Sequence, residues 1–348
     1  MRNYKVGIIG YFARGKSKAG GQEAKTCSID RAMKEKYGKE AVYNVDTTDW
    51  KRRPIGFFVQ MVKMVLKCEN IIMLPAQNGL LIFLPFFSVM NILLHRKIFY
   101  SVVGGWLPDY LEDRHGLSKR IGKIDHIFVE TKSMKNALLK ANITNVSVVP
   151  NFKYLVPVKH SELKCTIKEP YKLCTFSRVM KEKGIEDIVS AVRKINDRYK
   201  KNVFQLDIYG KIDDGYIKRF EDLKKNFPDY IKYAGQVEPE YGVEIVKNYF
   251  ALVFPTRYYT EGVPGTLIDS YMAGVPAIVA LWKNHEDVFI ENVTGWGYKF
   301  GNQEDLERVL NKVVLEPELF VKMKKSTLNE AVKYLPDKNV EIMTSYFK

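Results

Sequence analysis

Short apolar, β-branched runs alternate with helix-length segments along this whole chain, and the alternation starts twice. The strand-like runs of the first half are residues 5–11, 41–45, 70–74, 98–103, 126–130 and 146–149. Those of the second half are residues 171–176, 204–209, 230–234, 251–254 and 277–280. Antiparallel neighbours can be joined by a two-residue turn, whereas parallel neighbours need a crossover long enough to hold a helix. Spacing of this kind therefore leaves few choices besides parallel α/β sheets. The helical segments carry matching punctuation. Ile185, Ile188, Val189, Val192 and Ile195 form one apolar stripe, and Gly274 with Pro276 suits the end of a helix.

The length of 348 residues agrees with two starts, at roughly 150 residues per domain. Between them lie Pro150-Asn-Phe and a polar stretch, residues 159–169, that reads as a linker. The expected architecture is α/β, with two doubly wound domains facing a cleft. Ligands of such sheets sit beyond the carboxyl ends of the strands. With 46% hydrophobic and 27% charged residues, disordered, collagen-like and disulfide-dense classes are excluded. Cys27, Cys68, Cys165 and Cys174 show no metal or disulfide spacing, which points to a reducing cytoplasm. The apolar start of the chain is too short for a signal peptide and reads as a first strand.

Charge is the unusual quantity. The net is +15, and residues 1–150 hold 24 basic against 12 acidic side chains, so +12 falls on the first half. An anionic partner is expected to meet that half: nucleic acid, a membrane face or a phosphorylated ligand. Residues 51–67 mix basic and apolar side chains at helical spacing, which suits an interfacial helix and equally a plain amphipathic helix on a basic protein. Asn70 to Leu94 contains no charged residue, a length that could span a bilayer. Pro75, Gln77, Asn78, Gly79 and Pro85 interrupt it, and a buried strand, a loop and a core helix account for it more simply.

Gly10-Tyr-Phe-Ala-Arg-Gly15-Lys16-Ser17 matches the phosphate-loop pattern after a strand. A working phosphate loop enters its helix at the Lys-Ser step, but tandem glycines, Gly20-Gly21, follow here and oppose helix at that place. A helix starting at Gly20-Gly21, with amides able to meet a phosphate, is the better reading. A nucleotide hydrolase or kinase using Gly10–Ser17 and a nucleic-acid binder using the basic half remain as alternatives; the second lacks an interleaved aromatic and basic module.

Three features of the second half belong together. Arg178 and Lys183 follow a strand end and precede a helix, where cations oppose the helix dipole unless an anion joins them. Glu261-Gly262-Val263-Pro264-Gly265-Thr266 follows a strand and opens a helix that contains Asp269. Gly235-Gln236-Val237 ends another strand, where backbone groups could read a flat base. In this combination the chain resembles family 4 of the retaining, GT-B-fold glycosyltransferases, whose mark is two carboxylates eight positions apart. Glu261 and Asp269 stand at that spacing, with Asp in place of the usual second Glu.

The resemblance implies roles. Glu261 and the amides of Gly262 to Gly265, with Thr266 beside them, would hold the donor sugar, and Asp269 the ribose hydroxyls. Arg178 and Lys183 would hold the donor diphosphate, with Glu261 completing the catalytic set. Gly20-Gly21 would face the same diphosphate, and Gln236 and Val237 the base. Many relatives carry a His near the sugar where this chain has Gly104-Gly105, so backbone amides would act there; Asp109 and His115 stand at other positions. The domains implied are residues 1–152 on the acceptor side, 153–335 on the nucleotide-sugar side, and a C-terminal helix, 336–348, crossing back to the first.

The activity implied is retaining, metal-independent transfer of a hexose from a nucleotide diphosphate-sugar, UDP-linked, to a saccharide acceptor carried on lipid diphosphate. Its setting would be capsule, O-antigen or exopolysaccharide assembly, at the cytoplasmic face of an anionic membrane met by the basic half. No cofactor, metal or nucleic acid is expected, and the sequence holds no D-x-D.

Overall fold

A computed structural model describes residues 4–13, 20–48 and 50–348. The chain divides into two compact units, Met1–Tyr154 with Leu335–Lys348, and Leu155–Tyr334. The first unit holds a six-stranded, fully parallel sheet of β1 (Tyr4–Gly10), β2 (Val42–Asp46), β3 (Cys68–Met73), β4 (Lys97–Ser101), β5 (His126–Val129) and β6 (Val146–Val148), ordered β2-β1-β3-β4-β5-β6. Its crossovers are α1 (Gly21–Tyr37), α2 (Pro54–Lys67), α3 (Gln77–Leu94), the short α4 (Leu107–Glu112) and α5 (His115–Ile121), and α6 (Lys132–Lys140). One core lies under α2, α3 and α6, and another under α1, as expected of a sheet covered on both faces.

One expectation is met here and another changes. Helix α1 starts at Gly21 with Gly20 as its cap, beyond the Lys16-Ser17 step of the phosphate-loop match. The remainder of that match, residues 14–17, lies outside the described residues. Residues 70–94 form the expected strand, turn and helix, but α3 is no core helix, because only 22% of it is buried. Leu80, Phe83, Leu84 and Phe87 face the sheet, while Val89, Ile92 and Leu93 face outward.

The second unit repeats the plan with β7 (Tyr171–Phe176), β8 (Phe204–Tyr209), β9 (Ile231–Gly235), β10 (Ala251–Phe254), β11 (Ala277–Leu281) and β12 (Gly295–Lys299). The order is β12-β11-β10-β7-β8-β9, again parallel throughout. Helices α7 (Ile185–Tyr199), α8 (Ile217–Lys224), α9 (Gly242–Val246), α10 (Gly265–Met272), α11 (Gln303–Leu315) and α12 (Pro317–Glu330) surround it. The α7 stripe read from the sequence is buried in full, each side chain contributing about 1.5–3 kcal/mol of transfer free energy. Gly274 ends α10 at φ +61.

The polar stretch read as a linker is instead fastened to this unit. Leu163 packs at Gly274, and Lys164 Nζ donates to Asn248 Oδ1 at 2.6 Å. Helix α13 (Pro336–Thr344) then belongs to the first unit. Lys36 Nζ donates to Thr344 Oγ1 at 2.6 Å, Phe347 packs on Phe99, and Tyr346 stacks on His126 at 3.7 Å.

Candidate functional site

In the second sheet β7 lies between β10 and β8, so the chain runs outward in opposite directions from the β7–β10 pair. Loops leaving the carboxyl ends of two such strands diverge and leave a crevice between them. Lys183 comes from the loop after β7 and Glu261 from the loop after β10. They are 78 residues apart in sequence, yet Lys183 Nζ donates directly to Glu261 Oε1. Thr256 Oγ1 donates to the same carboxylate oxygen at 2.9 Å, and Asn284 Nδ2 fixes the Glu261 carbonyl at 2.9 Å. Lys183 also stands over the Phe254 ring, 5.5 Å from its centroid.

One glycine makes this meeting possible. The turn Lys181–Lys183 ends at Gly184, which caps α7 at φ +65. A Cβ there would lie 1.8 Å from the Pro255 carbonyl oxygen, so only glycine lets the two loops touch. The contact is strapped on both sides. Arg257 N donates to Glu182 O at 2.8 Å, and the Arg257 guanidinium makes two 2.6 Å bonds to Asp187. Paired fork contacts of this kind fix orientation as well as distance.

Beyond Glu261, Gly262, Val263 and Pro264 are buried, and α10 opens at Gly265 with no side-chain cap. Leu267 N donates to Pro264 O at 3.0 Å, and the amides ahead of it are of the kind that makes helix starts receptive to anions. Thr266 is buried, and its Oγ1 has no hydrogen-bond partner among the described residues. Asp269 is only 2% exposed, with its carboxyl against Gly242, the first residue of α9.

Arg178 stands on the same edge but apart from Lys183, exposed, with Nη1 at 3.6 Å from Asp213 Oδ2. The loops after β7 and β8 run side by side there, and Gly210, at φ +133, lies against the Ser177 carbonyl. Gln236 and Val237 follow β9, beyond Gly235 at φ +90. The edge therefore joins Lys183 to Glu261 directly, sets Arg178 and Gln236 just beyond other strand ends, and leaves Asp269 inside α10.

In the first unit, Gly104 (φ +80) and Gly105 follow β4, and Gly20-Gly21 starts α1. A Cβ at Gly21 would meet nothing within 4 Å. The sequence reading missed what holds the Gly104 loop. Lys25, one turn into α1, is 1% exposed and pairs at 2.8 Å with Glu130, which is 3% exposed at the end of β5. Lys25 Nζ also donates to Val102 O at 2.6 Å, and the Gly104 amide donates to Glu130 Oε1 at 3.3 Å. A partial signal was available: Glu130 closes a predicted strand, while Lys25 lies in the first turns of the helix read from Gly20-Gly21.

Residues 163–330, most of the second unit, match the family described as glycosyl transferases group 1. An uncharacterized glycosyltransferase of Methanocaldococcus jannaschii is 24% identical over 212 residues, 56% of this chain and 52% of that protein. The chain thus spans about half the length of this curated relative. Among solved structures, sucrose-phosphate synthase from Thermosynechococcus elongatus aligns with a TM-score of 0.76 at 13% identity, over 99% of this chain and 98% of that one. Anabaena Alr3699/HepE, solved in complex with UDP and glucose, aligns at 0.75 and 11% identity, over 99% of each chain. The likeness runs along the whole chain and establishes the fold as GT-B.

Proposed function

We propose that the protein is a retaining glycosyltransferase that moves a hexose from a UDP-sugar to a saccharide acceptor. The observation that carries this reading is the Lys183–Glu261 pair set before the uncapped start of α10, within the domain matched to group 1 glycosyl transferases. The solved neighbour bound to UDP and glucose supports the choice of donor.

Cleavage of the donor's glycosidic bond places charge on the leaving diphosphate and oxocarbenium character on the sugar. Arg178 and Lys183 stabilise the first together with the α10 amides, a role worth most where water is excluded. Glu261, its backbone anchored by Asn284, orients sugar hydroxyls, and Thr266 Oγ1 offers a hydroxyl to the same ligand. The leaving phosphate accepts the acceptor's proton, so the reaction needs neither a protein nucleophile nor a metal. Asp269, at the second carboxylate position, binds the ribose diol once α9 shifts away from it. We place the acceptor on a lipid diphosphate carrier at the cytoplasmic membrane face, in cell-surface polysaccharide assembly; the basic first half supports that placement.

The test is thermal unfolding with a panel of nucleotide sugars, followed by turnover on the stabilising donor. A ligand bound at a hundred times its Kd stabilises by about 2.7 kcal/mol, an easily read shift. Lys183→Ala and Arg178→Ala are expected to lower turnover by about 10²–10³-fold with the fold intact. No stabilisation by any UDP-sugar, turnover abolished by EDTA, or an inverted product anomer would each overturn part of the scheme.

A further inference from the structure

We infer that the outer face of α2 and α3 docks on an anionic lipid bilayer, with its aliphatic side chains inserted among the acyl chains. Each helix carries a second apolar stripe beyond the one that faces the sheet. On α2 this is Ile55, Val59 and Leu66; on α3 it is Val89, Ile92 and Leu93, with Ile55 82% and Leu93 85% exposed. The helices pack together, Phe58 against Phe86, so the stripes stand on adjacent helices, and a shallow apolar depression of about 580 Å³ lies on α2 beside Ile55 and Val59. Apolar patches of this extent on a soluble unit mark an interaction site.

The chemistry of the surface selects the partner. From residue 50 to 108 the chain holds seven basic residues and one acidic residue, Glu69, which is paired with Lys5 at 2.9 Å. Lys51, Arg52, Arg53 and Lys63 are exposed along α2 and the turn before it. Protein interfaces concentrate Tyr, Trp and Arg at their centre and are poor in Lys. Here the centre is aliphatic and the border is Lys and Arg, the composition of a helix lying in a headgroup layer.

The fold also decides between lying on the bilayer and crossing it. Helix α3 has 18 residues and a mean hydropathy of 1.6, enough by length and composition to span. Its two ends, however, feed β3 and β4, which are paired neighbours in one sheet. Crossing would tear that sheet apart, so the helix lies in the membrane plane. Insertion and basic attraction together provide the two signals that stable peripheral binding requires. This inference stands on the first unit alone and survives if the transfer reading fails.

The test is co-sedimentation of the full chain with vesicles of equimolar phosphatidylglycerol and phosphatidylcholine, against phosphatidylcholine alone. Binding to the anionic vesicles is expected, weakened by raising salt from about 0.1 M to about 0.5 M. The combined variant Val59→Ser, Val89→Ser, Leu93→Ser should lower partitioning about tenfold or more at unchanged Tm, since these side chains are already exposed. Arg52→Glu with Lys63→Glu should abolish the preference for anionic lipid. Failure of the wild type to sediment, or binding that survives the serine variant, overturns the proposal. So does a stable dimer that the same serines dissociate, because a second copy would then cover the face.

Discussion

Substituting Gly184 by alanine tests the idea that one close approach assembles the site. The added Cβ would stand 1.8 Å from the Pro255 carbonyl oxygen. Carbon and oxygen in weak contact keep about 3.3 Å, so the loops must part by about 1.5 Å. Two costs then add. A left-handed backbone at φ +65 penalises an L-residue by about 1–2 kcal/mol. Separation also strains the Arg257–Glu182 strap and the Lys183–Glu261 pair, bringing the expected loss to about 3–4 kcal/mol.

Gly301 supplies the control. It lies in the same unit at φ +69, and a Cβ there meets nothing within 4 Å. Gly301→Ala should therefore lose only the backbone part, about 1–2 kcal/mol. Urea unfolding of both variants gives the difference directly. Because Lys183 adjoins the displaced residue, Gly184→Ala should also reduce turnover on the UDP-sugar donor about 10²-fold, whereas Gly301→Ala should not. Equal stability losses for the two alanines, with donor binding retained at Gly184→Ala, would refute the argument that steric closeness places Lys183.

Other expectations follow from buried charge. Glu130→Ala leaves Lys25 buried without its carboxylate and should destabilise the first unit by about 3–5 kcal/mol, read as a fall in the urea midpoint; a loss under 1 kcal/mol would contradict the pair's burial. Burial and the nearby Lys135 push the His126 imidazole down to about 4. The unfolded chain therefore takes up a proton that the folded one refuses, and stability is lost as pH falls from about 6.5 to about 4, by roughly 2 kcal/mol at about pH 5. His126→Gln should flatten that slope in unfolding measured across the window. Burial likewise lowers Lys324 to about 8, so the charge it carries at neutral pH opposes folding, and stability should rise as pH climbs from about 8 to about 10.5. Lys324→Met should raise Tm by several degrees, and a lower Tm would show that the ammonium has a compensating partner.

Most of the fold was legible because parallel strands buried on both faces must be written as apolar runs, and eleven of the twelve strands overlap such runs, with ends within two residues. The exception explains itself. Strand β12 reads Gly-Trp-Gly-Tyr-Lys, and its glycines are there because β11 is close: a Cβ at Gly295 would meet Ala277 O at 1.8 Å, and one at Gly297 would meet Leu281 at 2.5 Å. Glycine chosen for proximity erases the β-propensity a reader looks for. Helix α3 misleads in the opposite sense. Its apolar residues predicted burial, yet composition does not say which side of a helix meets the sheet and which meets the surroundings.

The site was legible as a set of strand ends and illegible as a set of contacts. Strand order is a long-range property, so nothing local to Lys183 announces Glu261. The pairings also change what the basic residues mean. Along this edge every named cation already has a carboxylate: Lys183 with Glu261, Arg257 with Asp187, and Arg178 with Asp213. Under the proposed function an incoming diphosphate would compete with these carboxylates. Arg257 is held by two 2.6 Å bonds and serves the fold, whereas Arg178 sits 3.6 Å from its partner and is exposed. Arg178 is exposed at this edge, so under the proposed function its removal should weaken donor binding more than it weakens the free protein. Residues 50–108 carry seven basic side chains against one acidic, with Lys51, Arg52, Arg53 and Lys63 exposed on α2 and the turn before it. Charge paired at the strand-end edge and in excess along α2 supports the two proposals separately, the first transfer and the second docking.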